Sequence, residues 1–314
     1  MDREQRQARV FVVSVHYRSG GRILELLNCL RWQKGSPDAE IIIVDNSSGE
    51  EELARIRDAV KEFSNVELLV SPTNRGYFGG ARFAFDHYLE RGDELPDWLI
   101  VCNHDVLIED AEFFEKLFQL DPRSAGVIAP RIRVSGTNLD QNPFMRHRPN
   151  WLRWASLRFI HSNYGLAAFW CWLSRQKQAL RSHWGARRSK TASMQNGRGE
   201  FIYAPHGAFF IFSRRYFEAG GYLDGNLFLY GEEISVAEIC RSLGLPIIYE
   251  PSLRVLHKEH QSTGKRLSRF TYKCQKRALQ YLSSRYWSGS QRLVGSCQPD
   301  LTRDVREPQC SERS

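Results

Sequence analysis

Three carboxylates in this chain could carry chemistry because of where they lie. Asp105 belongs to the segment Asn103-His104-Asp105, which directly follows the apolar run WLIVC. A carboxylate at such a strand end can bind a hard divalent cation that bridges two phosphates. Glu232 and Glu233 precede a helical pattern, and a carboxylate there could take a proton from an attacking hydroxyl. An acidic pair at a helix start also has a purely structural explanation, since it stabilises the helix dipole.

A glycine-rich segment, NRGYFGG at 74–80, is the second candidate. Its small residues allow a ligand to approach the backbone at a helix start, where N–H groups favour phosphate. The segment has neither the GxGxxG order nor the Lys-Ser/Thr of a phosphate-binding loop. We therefore expect neither a dinucleotide site nor a P-loop.

Apolar runs predict the strands that position these residues. VFVVSV, EIIIV, VELLV and WLIVC begin at residues 10, 40, 66 and 98, and such uninterrupted runs are typical of strands buried on both faces of a parallel sheet. Apolar residues recur at helical spacing in 23–30, 53–63 and 79–89. This alternation predicts a doubly wound, mostly parallel α/β sheet, with ligands bound at the carboxyl ends of the strands.

Polar segments follow all four runs. Among them, Asp45-Asn46-Ser47-Ser48 taken alone also fits a helix N-cap and turn. Further along, apolar spacing predicts a helix from 234 to 243 that ends at Gly244, then short strands at 247–249 and 253–256. Residues 288–314 have little apolar content and are expected to form a mobile tail.

The segment 141–199 has an unusual charge pattern. It contains no Asp or Glu, eleven Lys or Arg, and five of the eight tryptophans, in a chain of net charge +8. Interleaved basic and aromatic residues predict either a pair of interfacial helices at an anionic membrane or a solvated basic insertion packed through its tryptophans. No nucleic-acid motif accompanies the charge, so we expect no nucleic-acid partner.

Cysteine usage and hydropathy indicate the compartment. The seven cysteines form no CxxC pair, which argues against a zinc site and a disulfide framework. The polar N-terminus has no apolar leader segment, and the longest uncharged stretch, 159–174, is shorter than a membrane-spanning helix requires. We expect a cytoplasmic protein without a transmembrane helix.

Six sequence blocks in a fixed order resemble the inverting family-two glycosyltransferases, especially the rhamnosyltransferase-like branch of bacterial surface polysaccharide biosynthesis, which includes lipopolysaccharide O-antigen. The blocks are VSVHYRS, IIIVDNSS, NRGYFGGAR, CNHDV, the segment from PHGAFFIF to LYGEE, and VLHKEHQSTG, within residues 10–265. The resemblance implies a GT-A fold. The implied parts are a nucleotide-sugar-binding half at 1–140, the basic insertion at 141–199, and an acceptor-binding catalytic half at 200–287.

The resemblance also implies a nucleotide-sugar site. It places Asp45 on the base or ribose. The other residues that it assigns to the nucleotide sugar are Asn74, Arg75, Gly76, Gly79, Asn103 and Arg241.

Metal and catalytic residues follow from the same resemblance. Asn103 and Asp105 occupy the first and third places of the DXD metal motif, so only one carboxylate remains there. His257 matches a histidine that joins the metal or the diphosphate. Glu232 and Glu233 match the acidic pair that provides the catalytic base, with Glu in place of Asp at the second position.

Three other histidines, His104, His206 and His260, are expected to be structural.

The implied reaction moves a sugar with inversion, rhamnose from dTDP-rhamnose or another sugar from a dTDP or UDP donor. The acceptor is a saccharide on a polyprenyl diphosphate, with Mg²⁺ or Mn²⁺ as cofactor. The enzyme would lie on the inner face of the cytoplasmic membrane. One alternative is a sugar nucleotidyltransferase, although Tyr17 to Arg22 only loosely imitates a triphosphate loop. Another is a non-catalytic module that binds nucleotide sugar or membrane.

Overall fold

The computed structural model describes residues 8–18, 22–33, 39–137, 139–185, 199–258 and 267–287. They fall into two compact units. The first, which we call the sheet unit, takes its residues from Met1–Arg148, Arg198–Gly225 and Glu232–His260. The second, the helical unit, takes them from Pro149–Gly197, Asn226–Gly231 and Gln261–Ser314.

The N-terminal half of the sheet is parallel, as the apolar runs predict. Its strands are β1 (Val10–His16), β2 (Glu40–Asp45), β3 (Val66–Val70) and β4 (Trp98–Cys102), in the order β3-β2-β1-β4. The helices α1 (Ile23–Arg31), α2 (Glu50–Val60) and α3 (Gly76–Glu90) alternate with them. The expected doubly wound α/β sheet is thereby confirmed.

The other half of the sheet is mixed. Within the described residues the sheet has nine strands, completed by β5 (Val106–Ile108), β6 (Val127–Val134), β7 (Glu200–Ile202), β8 (Phe209–Ser213) and β9 (Ile247–His257). Strand β8 pairs antiparallel with β4 and β6, whereas β9 runs parallel to β6 and antiparallel to β5 and β7. Three helices complete the unit: α4 (Phe113–Phe118), α7 (Arg214–Glu218) and α8 (Glu232–Ser242).

The strands expected at 247–249 and 253–256 are one strand, β9. Its register with β6 shifts between Pro130 and Arg131, where the partner changes from Glu250 to Arg254. Pro251 lies inside this irregularity and cannot donate a ladder hydrogen bond. The sequence interruption therefore marks a bulge and does not end the strand.

Both faces of the parallel half are buried, which explains the uninterrupted apolar runs. Val12 and Ile43 pack in a core with α1, whereas the alternate positions Val13 and Val44 pack in a second core with α3. Because successive side chains of a strand point to opposite faces, consecutive positions in the middle of β1 and β2 are apolar, and polar residues appear mainly toward the strand ends.

The helical unit contains α5 (Trp151–Ile160), α6 (Tyr164–Gly185) and α9 (Arg269–Leu282), followed by a π-helical turn, Ser283–Trp287. Buried Trp154 stacks on Trp287 at a ring separation of 4.1 Å and donates from Nε1 to Ser283 Oγ at 2.7 Å. The Tyr164 hydroxyl donates to the Leu267 carbonyl at 2.6 Å. None of the helices in the described part of the chain is long and apolar enough to span a bilayer.

The structure divides the chain differently from the expected halves. Strands β7, β8 and β9 complete the sheet begun by β1, so the nucleotide-sugar half and the acceptor half form one unit. Helix α9, expected within the acceptor half at 200–287, belongs with the basic insertion. The predicted tail at 288–314 lies outside the described residues.

Candidate active site

The loop after β2 is a tight turn held by Asp45. The Asp45 carboxylate is buried, at 1% exposure, and accepts hydrogen bonds from Ser48 N at 3.3 Å and from the Ser48 hydroxyl. Gly49 caps α2 without a side-chain hydrogen bond, so the N-cap interpretation of this segment is wrong and the turn interpretation is confirmed. Asp45 thus lies at a strand end, while its carboxylate is engaged within the loop.

Asn46 joins this loop to the start of α3, a role that the sequence analysis missed. Its Nδ2 donates to Asn74 Oδ1 and to the Gly76 carbonyl, both at 3.0 Å, and its Oδ1 accepts from Arg75 N at 2.8 Å. Asn46 is 2% exposed. An amide with three partners in the segment 74–76 fixes that segment against the loop after β2. Its place directly after Asp45 was the available signal.

The glycine-rich segment begins α3, as predicted. Gly76 has a φ of +73°, which favours glycine. A Cβ on Gly80 would lie 2.8 Å from Val15 Cγ1, so helix and strand approach each other only because this residue has no side chain. Arg75 donates from Nε to Ser71 Oγ at 2.9 Å and covers the Phe83 ring at 4.5 Å.

The predicted metal residues meet because β5 pairs with β9. Val106 is opposite His257 in this ladder, and the Asp105 carbonyl accepts from Lys258 N at 2.9 Å. Asp105 Oδ1 therefore lies 3.4 Å from His257 Nε2. Burial raises the pKa of Asp105, but the neighbouring imidazoles of His257 and His104 outweigh it and lower the pKa below its ordinary value.

Gln141, which spacing could not reveal, orients His257. Its Oε1 lies 2.7 Å from His257 Nδ1, so a proton on Nδ1 leaves an electron pair on Nε2. Asp105 Oδ1 is buried and forms no hydrogen bond of good geometry within the described residues. A lone pair and a carboxylate oxygen facing each other suit a cation between them.

The two groups would provide only part of a coordination shell. No cluster of three or more His, Cys, Asp or Glu side chains suited to a metal occurs among the described residues. Mg²⁺ sites commonly use one or two protein ligands and take the remainder from substrate phosphates and water. The Asp105 and His257 pair therefore fits a divalent ion whose other ligands are substrate phosphate oxygens and water.

The acidic pair opens α8 at the same edge of the sheet. Glu232 is 4% exposed, whereas Glu233 is partly exposed. Glu233 Oε1 lies 2.6 Å from the position that a Cβ on Gly207 would occupy, so only glycine admits the carboxylate there. His206, next to Gly207, has its ring 6.1 Å from the His257 ring, so the acidic pair and the metal pair lie in one region of the sheet unit. Glu232, Glu233 and Asp105 also act electrostatically on the Tyr77 hydroxyl.

A family model described as Glycosyl transferase family 2 matches residues 11–221. The chain belongs to glycosyl transferase family 2. It is 26% identical over 265 residues to N-acetylglucosaminyl-diphospho-decaprenol L-rhamnosyltransferase of two Mycobacterium tuberculosis strains, CDC 1551 / Oshkosh and H37Rv. The match covers 81% of this chain and 77% of that enzyme.

Solved structures confirm the GT-A fold of this family 2 glycosyltransferase. GalNAc-T7, solved with UDP, GalNAc and Mn²⁺, has a TM-score of 0.58 at 16% identity and matches 89% of this chain. The chain spans 49% of the length of that structure. The Pyrobaculum calidifontis mannosyltransferase PcManGT, solved with GDP-Man and Mn²⁺, has a TM-score of 0.52 at 14% identity, covering 91% and 77% of the two chains.

One predicted nucleotide-sugar residue of this glycosyltransferase, Arg241, also has a partner within α8. Arg241 donates from Nε to Glu238 Oε2 at 2.9 Å. Glu238 is fully buried and also binds Arg148 at 2.6 Å and the Tyr203 hydroxyl at 2.7 Å. Arg241 is eight positions after Glu233, which is about 12 Å along α8 at about 1.5 Å per residue. This geometry favours a role in holding α8.

The remaining histidines have the contacts expected of structural residues. His104 packs edge-on against His16 at a ring separation of 5.6 Å, and burial followed by the charge of His104 lowers the pKa of His16 to about 4. His206 Nδ1 accepts from Ala208 N at 3.2 Å. His260 lies outside the described residues.

Proposed function

We propose that this family 2 glycosyltransferase transfers rhamnose with inversion from dTDP-rhamnose to a saccharide carried on a polyprenyl diphosphate. The observation that carries the proposal is that the Asp105 and His257 pair lies in the same region as the acidic pair. Glu233 lies against Gly207, and the adjacent His206 ring is 6.1 Å from the His257 ring. The donor and acceptor follow the relative, whose name describes an L-rhamnosyltransferase acting on N-acetylglucosaminyl-diphospho-decaprenol. Such a product belongs to surface polysaccharide, including O-antigen, biosynthesis.

Glu233 is the better placed of the two carboxylates to act as the base. It is partly exposed at the start of α8, whereas Glu232 is buried. An acceptor hydroxyl must reach the base, and Glu233 takes its proton as the oxygen attacks the anomeric carbon. The bond to the diphosphate oxygen breaks on the opposite side, and the nucleoside diphosphate leaves with the electron pair, which inverts the anomeric carbon.

Asp105 and His257 would hold the divalent ion, Mg²⁺ or Mn²⁺. When bound, that ion supplies positive charge to the departing diphosphate. Gln141 keeps the His257 ring oriented, and Asn46 keeps the loop at 74–76 in place against β2. Arg75 contributes to that loop through Ser71 and Phe83.

The test is a thermal-shift screen of the purified protein with dTDP-rhamnose, UDP-sugars and GDP-mannose, each with and without Mn²⁺. A ligand that binds only the folded protein raises Tm. We expect a Mn²⁺-dependent rise with dTDP-rhamnose that exceeds the others. A larger rise with a UDP-sugar would overturn the donor, and the absence of any rise would overturn the enzymatic assignment in favour of a non-catalytic module.

We further propose that the helical unit attaches the enzyme peripherally to the inner face of the cytoplasmic membrane, where a polyprenyl-linked acceptor lies. Aromatic and aliphatic side chains are exposed along α5 and α6, with Trp151 at 70% and Phe169 at 61%. The others are Leu152, Phe159, Leu166, Trp170 and Trp172. Leu166, Phe169 and Trp170 follow a helical i, i+3, i+4 spacing, so they form one stripe.

The charge of the helical unit complements an anionic bilayer. Its described residues, 149–185, 226–231 and 267–287, contain no Asp or Glu and ten Lys or Arg. Helix α9 and its π-helical turn supply five of these, from a part of the sequence far from the basic insertion. An apolar stripe beside unbalanced positive charge is typical of an interfacial membrane surface.

A further inference from the structure

Tyr77 has a buried hydroxyl that the mechanism above leaves unused. It is the second residue of α3, and within the described residues its hydroxyl oxygen is buried without a hydrogen bond. Leaving a buried hydroxyl without a partner costs folding free energy, so most such groups in proteins are bonded.

Other tyrosines of the sheet unit follow that rule. Tyr88, on the same helix, accepts from Arg9 Nη2 at 2.9 Å and donates to the Glu94 carbonyl at 3.1 Å. The Tyr249 hydroxyl donates to Asp140 at 2.6 Å. Tyr77 thus departs from its neighbours at the point where the site residues converge.

The hydroxyl lies within electrostatic range of Asp105 and of the acidic pair. Burial, followed by the electrostatic effects of Cys102, Glu232, Glu233 and Asp105, raises the pKa of Tyr77 well above its ordinary value. The hydroxyl therefore stays protonated and can donate, but it donates to none of these side chains. A donor without an acceptor, close to the metal pair and the acidic pair, suits an anionic oxygen of a ligand.

The backbone of Tyr77 is held rigidly. Phe78, the next residue, is fully buried against Phe210 at a ring separation of 5.1 Å. Gly80 packs directly on Val15, and the Asn46 amide fixes the loop before the helix. The hydroxyl is thus positioned before any ligand binds, so its hydrogen bond would cost little ordering entropy.

We propose that the Tyr77 hydroxyl donates a hydrogen bond to a phosphate oxygen of the donor's sugar diphosphate. This inference rests on the proposed function, since it requires a nucleotide-sugar donor. It assigns a donor-binding side chain within NRGYFGG that is distinct from the asparagine, arginine and glycines expected there.

The test is Tyr77→Phe, which removes only the hydroxyl oxygen. The unliganded variant should have the same Tm as the wild type or a higher one, because no internal hydrogen bond is lost. The rise in Tm with dTDP and with dTDP-rhamnose should shrink in both cases. The KM for dTDP-rhamnose should increase by about tenfold, the loss expected for a hydrogen bond to a charged oxygen.

Tyr88→Phe is the matched control on the same helix. It removes a hydroxyl with two internal partners, so it should lower Tm while leaving the KM for the donor unchanged. The inference is overturned if Tyr77→Phe lowers the Tm of the unliganded protein and leaves the KM unchanged, because the hydroxyl would then be structural. The inference would also be overturned if Tyr77→Phe reduced the rise in Tm with dTDP-rhamnose but not the rise with dTDP. The hydroxyl would then contact the sugar and not the diphosphate.

The two proposals fail in different ways. If the wild type shows no shift with any nucleotide sugar, the proposed function and this inference fail together. If the wild type binds dTDP-rhamnose and Tyr77→Phe binds it equally well, only the inference about Tyr77 fails.

Discussion

The two units of this glycosyltransferase use aromatic and charged residues in opposite ways. In the sheet unit, large aromatic side chains such as Trp98 and Phe210 are fully buried, and buried Glu238 is bound by Arg148 and Arg241. In the helical unit, Trp151 and Phe169 are mostly exposed. The described residues of that unit contain no carboxylate that could pair with its ten cations.

Under the proposed function, the sheet unit provides stability and chemistry, and the helical unit provides membrane attachment. Apolar area that is buried stabilises a fold, whereas a contiguous exposed apolar patch marks an interaction site. Substitutions at the strand ends should therefore change turnover without changing vesicle binding. Substitutions on the exposed faces of α5, α6 and α9 should have the opposite effects.

The largest effect is expected for Glu233→Gln. Removing the base should lower kcat by about 10²- to 10⁴-fold, with the dTDP-rhamnose thermal shift and vesicle binding retained. Glu232→Gln is the matched control and should retain more activity, since Glu232 is buried. The reverse ranking would make Glu232 the base. Full activity in both variants would remove the catalytic assignment of the pair.

Asp105→Asn should abolish the Mn²⁺-dependent part of the thermal shift with dTDP-rhamnose. The variant keeps the size of the side chain but loses the charge that would bind the ion, so activity should fall by more than about 100-fold. Asp110→Asn is the control, because Asp110 follows β5 and pairs with Lys116 of α4. A Mn²⁺-dependent shift that survives in Asp105→Asn would contradict the metal assignment.

On the helical unit, alanine at Trp151, Phe159, Phe169 and Trp172 together should lower affinity for phosphatidylglycerol vesicles by more than about tenfold, since these exposed aromatic side chains supply the buried area. Thermal shift with dTDP-rhamnose should not change. Co-sedimentation measures the affinity. Trp154→Phe is the control: it loses the hydrogen bond to Ser283 and should lower Tm while keeping vesicle binding. Unchanged sedimentation of the fourfold variant would refute the surface.

A charge variant tests the contribution of α9. Lys273 and Arg277 are exposed one turn apart. Replacing both with Gln should lower the affinity for anionic vesicles by about thirtyfold, because each cation contributes about 1 kcal/mol. The difference should disappear at about 1 M salt, where the Debye length is about 3 Å. A difference that persists at high salt, or equal loss on phosphatidylcholine vesicles, would show that charge is not the cause.

Local patterns in the sequence predicted the parallel strands and the start of α3, because both depend on neighbouring residues. Local patterns could not predict contacts between residues that are far apart in the sequence. Asp105 and His257 were placed together by the family resemblance alone, and Gln141 reaches His257 only because of how the chain folds. The same holds for α9, whose membership in the helical unit depends on contacts such as Tyr272 with His161.

The smallest effect is expected for Asn46→Ala, which tests whether the sheet unit positions its loops through buried amides. Losing three hydrogen bonds in a buried place should lower Tm by about 3–8 °C. Because the loop at 74–76 would loosen, the KM for dTDP-rhamnose should rise by about threefold. Asn65→Ala is the control, since Asn65 donates to the Ala39 carbonyl before β2 begins, at the opposite end of the strand from Asp45. Asn65→Ala should lower Tm without changing the KM for dTDP-rhamnose. An equal change of KM in both variants would mean that general destabilisation of the sheet, and not the Asn46 hydrogen bonds, governs donor binding.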